Sequence, residues 1–215
     1  MGGSATGPSE PGGSADGDRS LGDYSLEEYL AAVAARQPAP SGGAVAAVTV
    51  ASAAGLVGMA ARFSAELPGA TELAAEADGL RAEVLELGDA DAAAYAEVLA
   101  AYRAPREEPG RRDRIKAALV DAADVPLRIA EVGVRVAAAG LGLARRGNPN
   151  LAGDAMTAVL LAEGATRAAA ELVRINVELG DLAPALADRA RALITRVAEA
   201  SDALIADKAI PDPEM

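Results

Sequence analysis

An all-α protein is what this sequence predicts, and three observations carry the prediction. Half of its 215 residues are apolar, yet there is one Phe, four Tyr and no Trp, and most of the apolar content is alanine. Alanine favours helices and close helix–helix approach and gives a β-sandwich little to pack. Apolar residues also recur at helical spacing over long segments, as in Leu73, Leu80, Val84, Leu87, Ala94, Val98 and Ala101. No strand-like alternation, hairpin dipeptide with alternating flanks or internal repeat competes with this pattern.

The elements follow in order. Residues 1–20 are Gly, Ser, Pro and Asp with almost nothing to bury, so residues 1–22 are expected to be a disordered tail. This tail lacks the basic start and apolar middle of a signal peptide, which points to the cytoplasm. Ser25-Leu-Glu-Glu28 reads as a capping box opening a short helix to about residue 36, with Leu26, Tyr29, Leu30 and Val33 on one side. Pro38 and Pro40 end that helix. A second helix starts at Gly42-Gly43 and runs to about residue 66, stopped by Leu67-Pro68-Gly69. Its eighteen residues from Ala44 to Ala61 carry no charge. That is the minimum for a membrane span, but alanine gains little in hydrocarbon and no aromatic belt flanks the run. A helix with small residues all round is better placed amid other helices, so a buried core helix is expected.

The third helix covers about 70–103, and 103–110 is a loop. A fourth helical region spans about 111–145, with a kink or break expected at Val125-Pro126 because proline removes a hydrogen bond and crowds the preceding turn. Gly147-Asn148-Pro149-Asn150 is a turn, a fifth helix runs about 151–179 to Gly180, and a sixth about 182–207. The organisation expected is therefore one helical domain over 23–209 between the tail and the last residues, 210–215.

Charge and missing residue types exclude several functions. The formal net charge is −12, which repels nucleic acid and anionic membrane surfaces. With no Cys and no His, thiol chemistry, His-dependent triads and ordinary zinc sites are absent, and no metal site is expected. Catalysis falls to carboxylates, Lys, Arg, Tyr, Ser, Asn or backbone groups.

Several short features stand in a definite order: Pro40-Ser41-Gly42-Gly43-Ala44; Asp89-Ala-Asp91-Ala-Ala-Ala-Tyr95, then Tyr102-Arg103-Ala104-Pro105; Val125-Pro126-Leu127; Gly147-Asn148; Asp154-Ala155; and Arg174-Ile175-Asn176. In this order the chain resembles the cyclodeaminase/cyclohydrolase family over about residues 25–205. The resemblance implies an elongated all-α bundle with a buried Ala/Gly-rich central helix, homodimeric, binding a tetrahydrofolate derivative as substrate. It implies no cofactor, and either hydrolysis of methenyltetrahydrofolate or ring closure of formiminotetrahydrofolate with loss of ammonia. Both reactions pass through a tetrahedral carbon between two folate nitrogens, which a proton-moving carboxylate serves. The chain departs from the family's pattern at Ser41, where the pattern has Gly, at Ala44 and Gly153, where it has Ser, at Leu172, where it has Asn, and at Ser64–Gly69, which lacks the pattern's lysines. Those departures leave a second expectation, a non-catalytic folate-binding or structural helical dimer.

The candidate residues each have a plain structural reading beside the implied one. Asp91 and Tyr95, four apart, share a helix face, and Asp89 points roughly opposite; an acid beside a half-buried tyrosine needs no function. Asp154 falls in the first turn of a helix, where the dipole favours a carboxylate in any case. The resemblance implies that Asp91 and Asp154 are the catalytic carboxylates. It implies substrate contacts for Ser41, Gly42, Gly43, Tyr95, Asn148 and Asn176. Ser41 also suits a helix cap, Gly147-Asn148 a simple turn, and Asn176 a helix–helix hydrogen bond. Arg62, Arg103 and Arg106 are the cations nearest these segments, with Arg62 and Arg103 the candidates for the carboxylates of a folate tail. Phe63, Tyr95 and Tyr102 are the aromatic rings available to stack a pterin.

Overall fold

A computed structural model describes residues 19–207. The expected tails over 1–18 and 210–215 lie outside the described residues. Among the described residues all regular structure is helical: α1 Leu26–Ala34, α2 Gly42–Arg62, α3 Ala70–Arg103, α4 Arg111–Arg146, α5 Ala152–Gly180 and α6 Ala185–Asp207, with short 3-10 turns at Leu21–Asp23 and Pro149–Leu151. The folded segment begins before residue 23, because Ser20 and Leu21 already bond to α3.

Helices α2 to α5 pack as antiparallel neighbours. Gly58 of α2 lies beside Ala77 of α3 at one end of that pair and Gly43 beside Asp91 at the other. Val98 of α3 packs with Leu119 and Ala122 of α4, and Glu76 pairs with Arg135 further along. Gly133 of α4 meets Thr166 of α5, and Gly140 meets Val159. The cycle closes because Gly42 lies near Leu172 and the residue after α2, Phe63, is bonded to Asn148. Helix α6 lies against α4 and α5, with an Arg189–Glu131 ion pair at 2.8 Å.

Helix α2 is the one helix among the described residues long and apolar enough to cross a membrane. Twelve of its 21 residues are buried, from Gly43 and Ala44 to Ala60 and Ala61. Their methyl groups meet α3, α4 and α5, so the run packs against protein on most of its circumference.

The boundaries have local causes. Ser25 makes both bonds of the capping box with Glu28. Two Pro-Gly turns deliver the chain into α3 and α4, with Gly69 at φ 84° and Gly110 at φ 74°, a left-handed conformation that a side chain would strain. Helix α4 corrects the expected break, since it runs unbroken from 111 to 146 with Pro126 inside it. The Ala122 carbonyl that Pro126 leaves without an N–H partner accepts from Asn176 of α5, and Ala122, Ala123, Leu127, Ile129 and Ala130 are all buried on either side of the proline. At the end of α5 the left-handed residue is Asp181, at φ 46°, rather than Gly180. Gly180 is needed for space, because a Cβ there would stand 2.8 Å from Leu182 Cγ and 3.2 Å from Leu119 Cβ. The expected apolar side of α1 also behaves differently. Tyr29 is buried, but Leu26 and Leu30 are 72% and 57% exposed.

Candidate active site

The Pro38–Pro40 turn, with a cis Ala39–Pro40 bond, delivers the chain to the first turn of α2 beside the middle of α3. Ser41 occupies the N-cap position, but its hydroxyl does not cap the helix. Ser41 Oγ instead donates to Asp91 Oδ2 at 2.9 Å. The carboxyl group of Asp91 lies directly over Gly43, where a Cβ would stand 2.2 Å from its Cγ and both oxygens. Gly42 has no such constraint, its nearest neighbour for a Cβ being Leu172 Cδ1 at 3.9 Å.

Asp91 is 8% exposed. Burial pushes its carboxyl pKa above the ordinary value, because removing water disfavours the charged form. The Ser41 hydrogen bond works in the opposite direction and is the weaker influence. The result is a carboxyl group that holds its proton at higher pH than a solvated aspartate, next to a backbone with no side chain in the way. Such a group is suited to give and take a proton with a bound nitrogen or water.

A cleft runs along α3 past the chain neighbours of this pair, Pro40, Ala44 and Ala92, with Asp89 rather than Asp91 in its wall. One hollow of about 200 Å³ lies between Leu21, Tyr24, the Gln37–Pro40 turn, Ala44 and Gly88. It shares Arg19, Pro38, Ala39, Asp89 and Ala92 with a second hollow of about 550 Å³ that extends past Tyr95 to Arg103. Tyr95 is 39% exposed there and offers a ring face, and Arg103, in the last turn of α3, offers a cation. On the other side of the turn, Ser41 and Gly42 border an apolar groove between α2 and α5, walled by Val45, Leu160 and Leu161.

The structure thus brings Ser41, Gly43 and Asp91 into contact, with Gly42 beside them and Tyr95 and Arg103 along the adjoining cleft. Asn176 lies one turn beyond Leu172 on α5, where its Nδ2 donates to the Ala122 carbonyl of α4 at 2.6 Å. Its amide makes the helix–helix bond that the sequence allowed as the plain reading.

Arg62, Asn148 and Asp154 stand elsewhere. They gather around the C-terminal end of α2, about 30 Å from Ser41 at 1.5 Å per helical residue. Arg62 is paired with Asp78 of α3. Asn148 clamps the turn, donating from Nδ2 to the Phe63 carbonyl at 3.0 Å and from its backbone N to Ser64 Oγ at 2.8 Å. Asp154 sits in the first turn of α5. Arg106 and Tyr102 lie exposed near the end of α3, and Phe63 is exposed beside Asn148. Among the described residues no group of three or more His, Cys, Asp or Glu is placed to hold a metal ion.

The sequence reading did not single out the Ser41–Asp91 bond, although both residues were candidates. It also passed over Asp89, which accepts from Ser20 Oγ at 2.6 Å and from the backbone N of Leu21 at 2.8 Å. Neither pairing has a local signal, since the partners are 50 and 69 residues apart for the two side-chain bonds.

Comparison with known proteins identifies relatives of this chain. The formiminotransferase-cyclodeaminase family model matches residues 25–193. A methenyltetrahydrofolate cyclohydrolase of Methylorubrum extorquens is 32% identical over 168 residues, 73% of this chain and 81% of that protein. The formimidoyltransferase-cyclodeaminase of Rattus norvegicus is 33% identical over 172 residues, 75% of this chain but 32% of that protein, so the chain spans about a third of the rat enzyme's length. In three dimensions the chain is similar to a formiminotetrahydrofolate cyclodeaminase of Thermotoga maritima, with a TM-score of 0.71 at 24% identity over 86% of this chain and 99% of that one. That likeness shows the all-helical fold. With four-fifths of its length inside the family model and its glycine turn closed on a buried aspartate, this chain belongs to the formiminotransferase-cyclodeaminase family.

Proposed function

We propose that this protein is an enzyme of folate one-carbon interconversion, hydrolysing methenyltetrahydrofolate or closing formiminotetrahydrofolate with release of ammonia, with Asp91 as its acid–base group. The observation that carries the proposal is the buried Asp91 carboxyl, held by Ser41 over the bare backbone of Gly43. In the hydrolytic direction, Asp91 takes a proton as water adds to the methenyl carbon. It returns the proton to the folate nitrogen whose bond to that carbon breaks, and the added hydroxyl gives up its remaining proton to solvent as it becomes the carbonyl of the formyl group left on the other nitrogen. In the deaminating direction, a folate nitrogen attacks the formimino carbon, and the proton it sheds passes through Asp91 to the departing ammonia. Each cycle leaves Asp91 in its starting state.

The substrate lies in the α3 cleft, its ring against Tyr95 and its carboxylate tail toward Arg103. Arg103 is twelve residues beyond Asp91, about 18 Å along the helix. Ser41 sets the orientation of the carboxyl group, and Asp154, at the far end of α2, takes no part in this step. No cofactor or metal is required. The chain works as a single domain, in the cytoplasm and as a homodimer. The uncovered apolar residues Leu26 and Leu30 of α1 and Leu160 and Leu161 of α5 supply a surface for the second copy.

Purified protein is incubated with methenyltetrahydrofolate, and loss of its near-ultraviolet absorption is followed against the spontaneous rate. Ammonia release is measured with formiminotetrahydrofolate. Acceleration of either reaction, lost in Asp91→Asn, supports the proposal; acceleration of neither refutes it. Light scattering on the same sample reports the dimer. The non-catalytic reading is disfavoured by the buried Asp91 carboxyl bonded to Ser41 over Gly43, which a purely structural helix pair does not need.

A further inference from the structure

We infer that Asp89 is a positioning residue for the proposed folate cleft, fixing the Arg19–Tyr24 segment as a strap that forms one wall of it. The inference rests on the reading of the α3 cleft as the substrate site.

Both oxygens of Asp89 are engaged by the strap: Oδ2 accepts from Ser20 Oγ at 2.6 Å and Oδ1 from the backbone N of Leu21 at 2.8 Å. Leu21 then inserts against α3 at Gly88, where a Cβ would stand 2.5 Å from Leu21 Cδ1. The Arg19 end of the strap is tied back on itself. Arg19 bonds to Glu28 at 2.9 Å and lies 4.2 Å from the centre of the Tyr24 ring. The strap itself holds only a three-residue 3-10 turn, Leu21–Asp23, with no buried residue of its own. Asp89 and the Gly88 notch are the points where it meets α3.

The consequence for the cleft is direct. Arg19, Leu21 and Tyr24 line the smaller hollow opposite Ala44 and Ala92, which neighbour Gly43 and Asp91 in the chain, and Arg19 reaches into the larger hollow as well. With the strap in place the hollow beside the glycine turn has a wall; with it released, that side opens to water. Asp89 is two residues from Asp91 on α3, so its side chain leaves the helix on roughly the opposite side from Asp91 and does not share the proton chemistry. Its part is to hold substrate in place through the strap, which acts on KM rather than kcat.

Three full-length variants test this: Asp89→Ala, Asp89→Asn, and the double change Ser20→Gly with Leu21→Ala, which frees the strap without touching α3. Hydrogen exchange of residues 20–24 reads the attachment, and steady-state kinetics read the cleft. Release in Asp89→Ala and in the double variant is expected to remove exchange protection. It should raise KM about tenfold, the scale of lost charge-assisted hydrogen bonds, with kcat within about threefold. Asparagine keeps an acceptor for the Leu21 N–H, so Asp89→Asn is expected to restore KM to near wild type. The inference is overturned by an unchanged KM in variants whose strap is shown to be free. It is equally overturned if Asp89→Asn fails as fully as Asp89→Ala, which would make the charge rather than the strap responsible. If Asp89→Ala does not fold, the double variant decides. If the wild type binds folinic acid without turnover, the enzyme reading fails alone, and Kd replaces KM in the same comparison. A wild type that binds no folate overturns both.

Discussion

Replacing Gly43 by alanine separates the needs of the fold from those of the proposed chemistry. The new methyl carbon would stand 2.2 Å from Cγ, Oδ1 and Oδ2 of Asp91. Ordinary carbon contacts begin near 3.5 Å, so the carboxyl group must retreat by about 1.3 Å. The group sits at the end of a short side chain, and moving it breaks the 2.9 Å bond to Ser41 rather than the backbone packing. The stability cost is small: overpacking of about 1–3 kcal/mol is offset in part by up to about 1 kcal/mol from alanine's better helix propensity. A net loss of about 1 kcal/mol lowers Tm by about 2–4 °C in a chain of this size. The functional cost is large, because a displacement of about 1 Å in a reacting group costs on the order of a hundredfold in rate. The assay compares kcat for methenyltetrahydrofolate hydrolysis and formiminotetrahydrofolate deamination in Gly43→Ala and Gly42→Ala. In the latter the added Cβ meets only Leu172 at 3.9 Å and should leave both rate and Tm near wild type. Equal activity in the two variants refutes the argument that Asp91 must lie over a bare backbone to work.

Other outcomes follow from the same structure. Asp91→Asn should abolish turnover while leaving the protein at least as stable at neutral pH. A carboxyl group whose pKa is raised on folding adds stability below its unfolded pKa and loses it as pH rises through the folded value, and asparagine has no such loss; denaturant titration across pH 4–8 checks the sign. Glu28, held down to about 2 by its bonds with Arg19 and Ser25, works the other way: its contribution is present above about pH 4.5 and disappears as pH falls toward 2. Exchange protection of the first turn of α1, followed on acidification, should therefore fall in wild type and be insensitive to pH in Glu28→Gln. Thr166→Val should be neutral or stabilise by about 1 kcal/mol in chemical denaturation, because the buried Thr166 hydroxyl has no hydrogen-bond partner among the described residues and valine keeps its shape. Arg62→Gln should cost under about 1 kcal/mol and leave kcat unchanged, since its exposed pair with Asp78 lies at the far end of α2 from Asp91.

Much of the fold was legible in the sequence because its signals are local. The capping box at Ser25, the Pro-Gly stops at 69 and 110 and the periodicity of 70–103 each act within a few residues, and α3 falls on the limits expected. Pro126 misled for the same reason: its local cost is real, but what carries α4 through it is burial against distant helices. The candidate site was half legible. Order along the chain put Ser41, Gly43 and Asp91 in one set with Asn148 and Asp154, but order contains no information on antiparallel packing. That packing folds Asp91 back to the start of α2 and sends Asn148 to its end. The strap was missed because residues 19–22 resemble the polar tail before them, and their attachment is visible only where Asp89 meets them.

The methyl-lined interior of α2 has a thermodynamic consequence of its own. A core of leucine and phenylalanine gains more from water exclusion per residue but must freeze the rotamers it buries. Alanine and glycine have no rotamer to freeze, so ten of the twelve buried positions of α2, all but Val50 and Val57, are ordered at almost no side-chain entropy cost. The same economy removes any slack: a larger residue finds a neighbouring helix already in its place, and glycine returns backbone freedom to the unfolded chain. Along this helix the protein is therefore least free to vary where its side chains are simplest, and the first turn that holds Asp91 inherits that rigidity.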